Sequence, residues 1–302
     1  MTGMAPGGGR GGRRVVAALA LTAAVVGLSQ GSARAQVTPL PTLSSRATDA
    51  DSTVAPVPFG PGERLVYKVK LGIWGGGEGV MVIPAVEDVR GNDAYHFHMA
   101  VDACALGFCV RDKFDSWMDT RTLQAWRFIQ DIDDPGYSSF RHYEFYPDRQ
   151  IWDREDNDES GPLATPLPLD DISFIHFVRT LPLEVGKTYT FNRYFKAEGN
   201  PVTLKVLRKD KRKTDAGEFN TIVVQPIIRT KGMFSQGGKA ELHFTDDERR
   251  ILVFMKTDIP ILPGALTLHL QSIQEGLPLH PTPRARALSG ENRVGSDPRA
   301  RR

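Results

Sequence analysis

Leu65-Val66-Tyr67-Lys68-Val69-Lys70-Leu71 decides the fold. Side chains alternate between the two faces of a strand, so this run places Leu65, Tyr67, Val69 and Leu71 on one face and Val66, Lys68 and Lys70 on the other. A helix would scatter the same apolar residues around its circumference. Tyr95-His96-Phe97-His98-Met99 alternates in the same way, and β-branched and aromatic runs recur at 80–83, 123–129, 140–146, 187–195, 202–207, 219–228, 240–245, 251–257 and 265–273. Gly, Pro, Asp and Asn clusters separate them. Connections such as 146–150, 215–218 and 245–250 are of hairpin length and tie neighbours into antiparallel pairs. The chain reads as all-β: a single curved antiparallel sheet or roll of about a dozen strands.

One segment departs from this pattern. In Asp170-Asp171-Ile172-Ser173-Phe174-Ile175-His176-Phe177-Val178-Arg179-Thr180-Leu181 the residues Ile172, Ile175, Val178 and Leu181 recur every third position, and Pro182 stops the turn. The Asp pair is a natural N-cap, with Asp171 taken as the capping residue. The spacing predicts one short helix whose apolar stripe covers an open end or edge of the sheet.

Outward from this core the composition changes. Arg10, Arg13 and Arg14 precede an apolar and small-residue run from Val15 to Leu28, and Ala33-Arg34-Ala35 follows, the layout of a cleavable export signal over residues 1–35. The apolar run is shorter than the roughly 20 residues that cross a bilayer as a helix. No transmembrane segment is expected in the mature chain, and the general secretory route is favoured over the twin-arginine route that Arg13-Arg14 permits. Residues 36–56 read as a disordered leader, 57–274 as a single β domain and 275–302 as a disordered Arg/Pro-rich tail. The expected location is periplasmic or otherwise exported.

The charge balance follows these divisions. Of 38 basic and 36 acidic residues, residues 1–35 hold four Arg and 281–302 hold six Arg and two acids, which leaves 28 against 34 between them. A folded region with that acidic excess lacks the electrostatic footprint of a nucleic-acid binder.

In several places the folded region resembles the bacterial family of domain of unknown function 3108. These are Phe59-Gly60-Pro61-Gly62-Glu63-Arg64-Leu65-Val66-Tyr67, the stretch Gly75 to Gly79, and Arg111-Asp112-Lys113-Phe114-Asp115-Ser116-Trp117-Met118-Asp119. Asp171-Ile172-Ser173-Phe174 and Arg179-Thr180-Leu181-Pro182-Leu183-Glu184-Val185-Gly186 complete the set. The resemblance spans most of 57–273 and implies an exported, largely antiparallel and strongly curved β domain. It brings no catalytic residues with it.

Motifs of known chemistry fall short of their requirements. Gly186-Lys187-Thr188 lacks the earlier Gly of a phosphate loop, since Leu181 stands there, and it opens a strand instead of a helix. Asp153 to Glu159 concentrates five carboxylates in seven residues but has no Gly at the sixth position of a calcium loop. Asp131, Asp133 and Asp134 form a second acidic turn. His96 and His98 share a strand face, yet spacing identifies no third metal ligand. His142-x-Glu144 has no P-C-x-x-C partner for a deaminase zinc. Neither H-E-x-x-H nor G-x-S-x-G occurs. No metal and no cofactor are expected.

Two groups remain. Cys104 and Cys109, the sole cysteines, are expected to be bridged: export places them in an oxidising compartment, and Gly107 lets the intervening chain turn so that they face one another across a hairpin. Asp112 and Asp115 with Trp117, Trp126 and Trp152 form the candidate ligand platform, because indole rings stack on sugars or lie against acyl chains. The resulting reading is a non-catalytic envelope protein that binds an apolar or amphipathic ligand, a glycan, or an envelope protein partner on a concave sheet face. The alternatives are a periplasmic hydrolase of cell-wall or surface polysaccharide working through an acidic pair, and a structural scaffold. Sequence alone does not specify an oligomeric state.

Overall fold

The computed structural model describes residues 55–230, 234, 240–258 and 265–279. The expected export signal, most of the leader and the tail beyond 279 lie outside them. The elements in chain order are β1 (Arg64–Leu71), β2 (Gly75–Val82), β3 (Val86–Val89), β4 (Asn92–Ala105), β5 (Phe108–Asp119), β6 (Ala125–Asp134), β7 (Tyr137–Tyr146), β8 (Ile151–Arg154) and β9 (Ser160–Pro162). After them come α1 (Asp171–Arg179), β10 (Thr188–Phe191), β11 (Val202–Thr214), β12 (Gly217–Ile227), β13 (Glu241–Thr245), β14 (Leu252–Asp258) and β15 (Ala265–Gln274).

All fifteen strands belong to one antiparallel sheet, ordered β10-β11-β12-β13-β14-β15-β1-β2-β4-β5-β6-β7-β8-β9 with β3 paired to β4. The chain makes two meanders, β1–β9 and β10–β15. They join through β1 and β15, where Leu71 faces Leu266 and Arg64 faces Gln274. The sheet is not closed by a strand ladder. It curls until the segments leaving its two edges meet: Leu169 bridges Tyr194, and the Ala164 amide donates to Phe195 O at 3.0 Å. The alternation read from Leu65 to Leu71 holds, with Leu65, Tyr67, Val69 and Leu71 buried and Lys68 and Lys70 exposed. Strands β3, β8 and β9 have four, four and three residues, too few to show a period in the sequence, and β5 is masked there by its alternating charges.

The helix corrects one expectation of position and one of residue. Every residue of α1 is buried, the polar Asp171, Ser173, His176 and Arg179 included, so α1 occupies the interior of the roll and does not cover an edge. A helix surrounded on all sides is a core element. The His176 ring stacks on Phe97 of β4 at 3.7 Å and meets Phe59 edge-on, while Phe174 and Phe177 pack on Phe191 of β10.

The capping residue is Asp170 and not Asp171. Asp170 is extended (φ −102°, ψ −175°), and its Oδ1 accepts from the amides of Ile172 and Ser173, both at 2.9 Å. Ser173 Oγ returns the contact by accepting from the Asp170 amide at 2.9 Å, and Ser116 Oγ of β5 donates to Asp170 Oδ2 at 2.7 Å. Asp171 has already turned into the helix, so its carboxylate cannot reach back to the orphan amides.

At the other end Arg179 donates to both oxygens of buried Glu63, at 2.6 and 2.8 Å, and to Arg249 O at 3.1 Å. The paired geometry satisfies a charge that would otherwise be stranded in the core.

Asp170→Ala is expected to destabilise the domain by about 0.5–2 kcal/mol. The cost should sit toward the upper end, because Ser116 also loses its buried acceptor. Denaturant unfolding measures it, and a midpoint equal to that of the parent would contradict the capping assignment.

Candidate functional site

Within the roll α1 and the inward rings pack closely on one another. A cleft of about 610 Å³ lies between the inner face of β6–β8 and the segments 194–198 and 229–230. Alternation on β6 and β7 turns Phe128, Gln130, Arg141 and Tyr143 inward to line it, and Arg154, Glu159, Asp171, Tyr194, Phe195, Lys196, Glu198, Arg229 and Thr230 complete the wall.

The charges of this wall are unequally satisfied. Arg154 is committed: it pairs with Asp156 and donates to Glu159 Oε2 at 2.7 Å. Lys196 Nζ sits 3.3 Å from Tyr143 Oη and 4.8–5.3 Å from the ring centres of Trp152, Tyr143 and Phe195. Aromatic faces hold this ammonium by their quadrupoles, and among the described residues it forms no ion pair. Arg141 donates to Tyr137 Oη at 2.5 Å, and neither it nor Arg229 forms an ion pair among the described residues. Among the described residues Arg141, Lys196 and Arg229 therefore border the cleft without an ion pair, next to the rings of Phe128, Tyr143, Tyr194 and Phe195, while Glu159, Asp171 and Glu198 add carboxylates elsewhere on the wall. Such a wall complements a ligand with an anionic group and an apolar portion.

The five residues expected to bind ligand do not converge. Trp152 is buried and backs the Lys196 ammonium, so it supports the cleft from behind. Asp112 faces inward near the hairpin end of β5, where its Oδ1 accepts from the Asp133 amide at 3.2 Å. Burial, and after it the neighbouring Asp134, push the Asp112 carboxyl up to about 7. Asp134 is raised as well, by burial and Asp133, but Asp112 does not line the cleft.

Trp117, Trp126 and Asp115 belong to the outer face. Trp117 lies between the His96 ring, stacked at 4.3 Å, and the Arg127 guanidinium at 5.2 Å, and it donates to Glu87 Oε2 at 2.8 Å. Trp126 donates to Asp119 Oδ2 at 3.1 Å. Asp115 Oδ1 is shared by His96 Nε2 at 2.7 Å and His98 Nδ1 at 2.9 Å, while His96 Nδ1 meets Glu87 Oε1 at 3.0 Å. Asp115 is the partner that spacing alone did not assign to the histidine pair. Further along this face buried Glu144 gathers Arg90, Arg127 and His142. Among the described residues no group of three or more His, Cys, Asp or Glu has metal-holding geometry.

Cys104 and Cys109 are bridged at paired positions of β4 and β5, with Cα atoms 4.0 Å apart. The turn between them is a tight two-residue one. Only Leu106 and Gly107 form it, both at positive φ (51° and 85°), the mirror-image turn that matches strand twist.

The chain belongs to the family described as protein of unknown function DUF3108, whose profile matches residues 66–271. No curated protein matches it in sequence. Among solved structures it is similar to a β-barrel-like protein of domain of unknown function DUF1849 from Brucella abortus. That likeness has 9% identity and a TM-score of 0.47, and covers 73% of this chain and 99% of that one. A proposed lipoprotein from Parabacteroides distasonis is similar at 9% identity and a TM-score of 0.28, covering 74% and 100%. At these values neither likeness bears on what this chain does.

The outer-face network carries a pH signature. Burial opposes charge on His96, but its hydrogen bond to Asp115 and the charges of Glu87 and Asp115 outweigh this and raise it above 6.5. Burial also opposes charge on Asp115, yet the hydrogen bonds and charges of His96 and His98 bring it from 3.8 down to about 2. The raised His96 stabilises the fold fully below pH 6.5, and this is lost as pH rises through its folded value; the depressed Asp115 stabilises above pH 3.8, and this is lost as pH falls toward 2. Both contributions are present between these limits. Asp115→Asn should therefore lower Tm by about 2–4 °C more near pH 5.5 than near pH 8.5, the shift that about 1 kcal/mol produces in a domain of this size. Equal losses at the two pH values, read by calorimetry, would contradict the linkage.

Proposed function

We propose that this is an exported, non-catalytic envelope protein whose roll binds an amphipathic ligand with an anionic group in the cleft beside Lys196. The observation that carries the reading is the placement of Arg141, Lys196 and Arg229, none ion-paired among the described residues, against the rings of Tyr143, Tyr194 and Phe195. A volume of about 610 Å³ is within the range of small-molecule sites, roughly 300–1,000 Å³. The anionic group would sit among the three cations while the apolar portion lies along the rings. The filled interior limits the apolar portion to the cleft itself. Export is supported by the signal-like layout of residues 1–35 and by the Cys104–Cys109 bridge, a bond kept in oxidising compartments.

Titration calorimetry with dodecyl phosphate below its micelle concentration tests this, with dodecyltrimethylammonium as the cation of equal chain. Dodecyl phosphate is expected to bind and the cation not to. Arg141→Glu and Arg229→Glu, both at solvent-reached positions, should each weaken the anion by about tenfold or more, the effect of losing one charge-assisted contact of roughly 1.5–3 kcal/mol. Equal binding of both detergents, or charge-reversed variants that bind the anion as the parent does, would overturn the reading.

A further inference from the structure

The exposed apolar side chains of the roll are not scattered. Of nine large hydrophobic residues that stand exposed among the described residues, five occupy three hairpin tips at one end: Ile73 and Trp74, Leu106 and Phe108, and Tyr137; Phe140 stands three positions into β7. The first two tips abut because β2 and β4 pair, Gly76 facing Cys104. Glycine is required there: a Cβ on Gly75 would stand 2.4 Å from Ala105 Cβ, and one on Gly77 would stand 1.9 Å from Asp102 O. The disulfide pins the second tip. Ile73, Trp74, Leu106 and Phe108 are 83%, 72%, 77% and 51% exposed, so they protrude and do not fold back on the sheet.

Behind the first tip runs a basic row. Lys70 of β1 and Lys256 of β14 both lie opposite Thr267 of β15 on the outer face, exposed and without an ion pair among the described residues. Lys256 also faces Glu241 of β13, a carboxylate already held by Arg208, and Lys68, one outward position further back, faces Glu78 and is partly offset by it. The positive field is felt by His269, which is held below its ordinary value by burial and then by Lys70, Arg212 and Lys68.

We infer that the Ile73–Trp74 and Leu106–Phe108 hairpin tips dock the protein on a lipid bilayer containing anionic phospholipid, with Lys70 and Lys256 meeting the headgroups. Ile73 is three steps along the chain from Lys70, about 10 Å at strand spacing. Interfacial segments bury their apolar face about 5–10 Å into the boundary, so the lysines sit at headgroup height when the tips are inserted. Tryptophan favours that boundary. A second protein fits the same surface poorly. Ordinary interfaces engage roughly 20–30 residues a side on complementary surfaces, whereas these tips offer four convex apolar side chains. The docking needs nothing from the cleft, so it stands or falls separately from the proposed ligand.

Trp74 makes the test local. It is exposed, whereas Trp117 and Trp152 are buried and Trp126 is half-buried, so a change of tryptophan emission on vesicles reports the first tip even if other parts of the full chain also touch lipid. The full chain is mixed with vesicles of phosphatidylcholine alone or with phosphatidylglycerol, some carrying brominated acyl chains. Expected are a blue shift and bromine quenching on the anionic vesicles, both absent in Trp74→Phe. A weakening of vesicle partition by about tenfold or more is expected in Ile73→Ser/Trp74→Ser and in Leu106→Ser/Phe108→Ser at unchanged Tm. Lys70→Glu/Lys256→Glu should abolish the preference for phosphatidylglycerol. Unchanged, unquenched emission on vesicles that retain the chain, or serine variants that partition like the parent, would overturn the inference. So would tip-dependent self-association in the absence of lipid.

Discussion

A helix enclosed on all sides by a sheet has no water to satisfy its ends, and this constraint orders the rest of the molecule. An α-helix leaves about four amides and four carbonyls without internal partners at its termini. In α1 the first of these find Asp170, itself held by Ser116 of β5, and the last turn is secured by Thr180, whose amide reaches Phe177 O, and by Arg179 on Glu63. Glu63 immediately precedes β1, so one ion pair joins the helix to the strand where the two meanders meet. The sheet can then curl around α1 as a core, and its two edges approach through the chain on either side of the helix, at Leu169 and Tyr194. The buried residues keep to ionic states that suit this role. Burial, only partly offset by hydrogen bonds from Ser173 and Ser116, raises Asp170 to about 6, and burial with Arg179 nearby holds His176 neutral.

Filling the roll also determines where function can reside. A curved sheet with an empty interior would offer a deep apolar pocket; here Phe97, His176, Phe174 and Phe191 occupy that volume. Among the described residues the cleft beside β6–β8 stays open, lined by inward positions of β6 and β7. The polar network of the outer face, built on Asp115 and Glu144, is by contrast internally paired, with each carboxylate already receiving two or three donors. Its groups satisfy one another, whereas Arg141, Lys196 and Arg229 of the cleft have no ion pair among the described residues.

The legible parts of the sequence were those with a local cause. Alternation from Leu65 to Leu71 is visible because one face is buried and the other wet, and the Cys104–Cys109 bridge follows from a turn-forming Gly107 between two cysteines. The helix was visible as a period of three, but its polar residues implied a solvated face. Their partners, Glu63 for Arg179, Phe97 for His176 and Ser116 for the cap, lie 116, 79 and 54 positions away in sequence, and no spacing rule connects them. The cleft was hidden for the same reason. Arg141, Lys196 and Arg229 come from three separate segments, and each alone reads as an ordinary surface cation. The tryptophans drew notice because indoles bind ligands often, yet Trp117 and Trp152 are consumed by packing, and Trp126 donates its N–H to Asp119.

The central claim is that α1 is core and that ligand space begins outside it. Hydrogen exchange read by mass spectrometry, with and without dodecyl phosphate, measures this directly. The amides of 171–179 should exchange only through global unfolding in both conditions, while those of 141–143 and 194–198 slow on ligand addition. Rapid exchange across 171–179 in the free protein, or protection by ligand concentrated there, would show a mobile helix that yields the interior to ligand and would contradict the account.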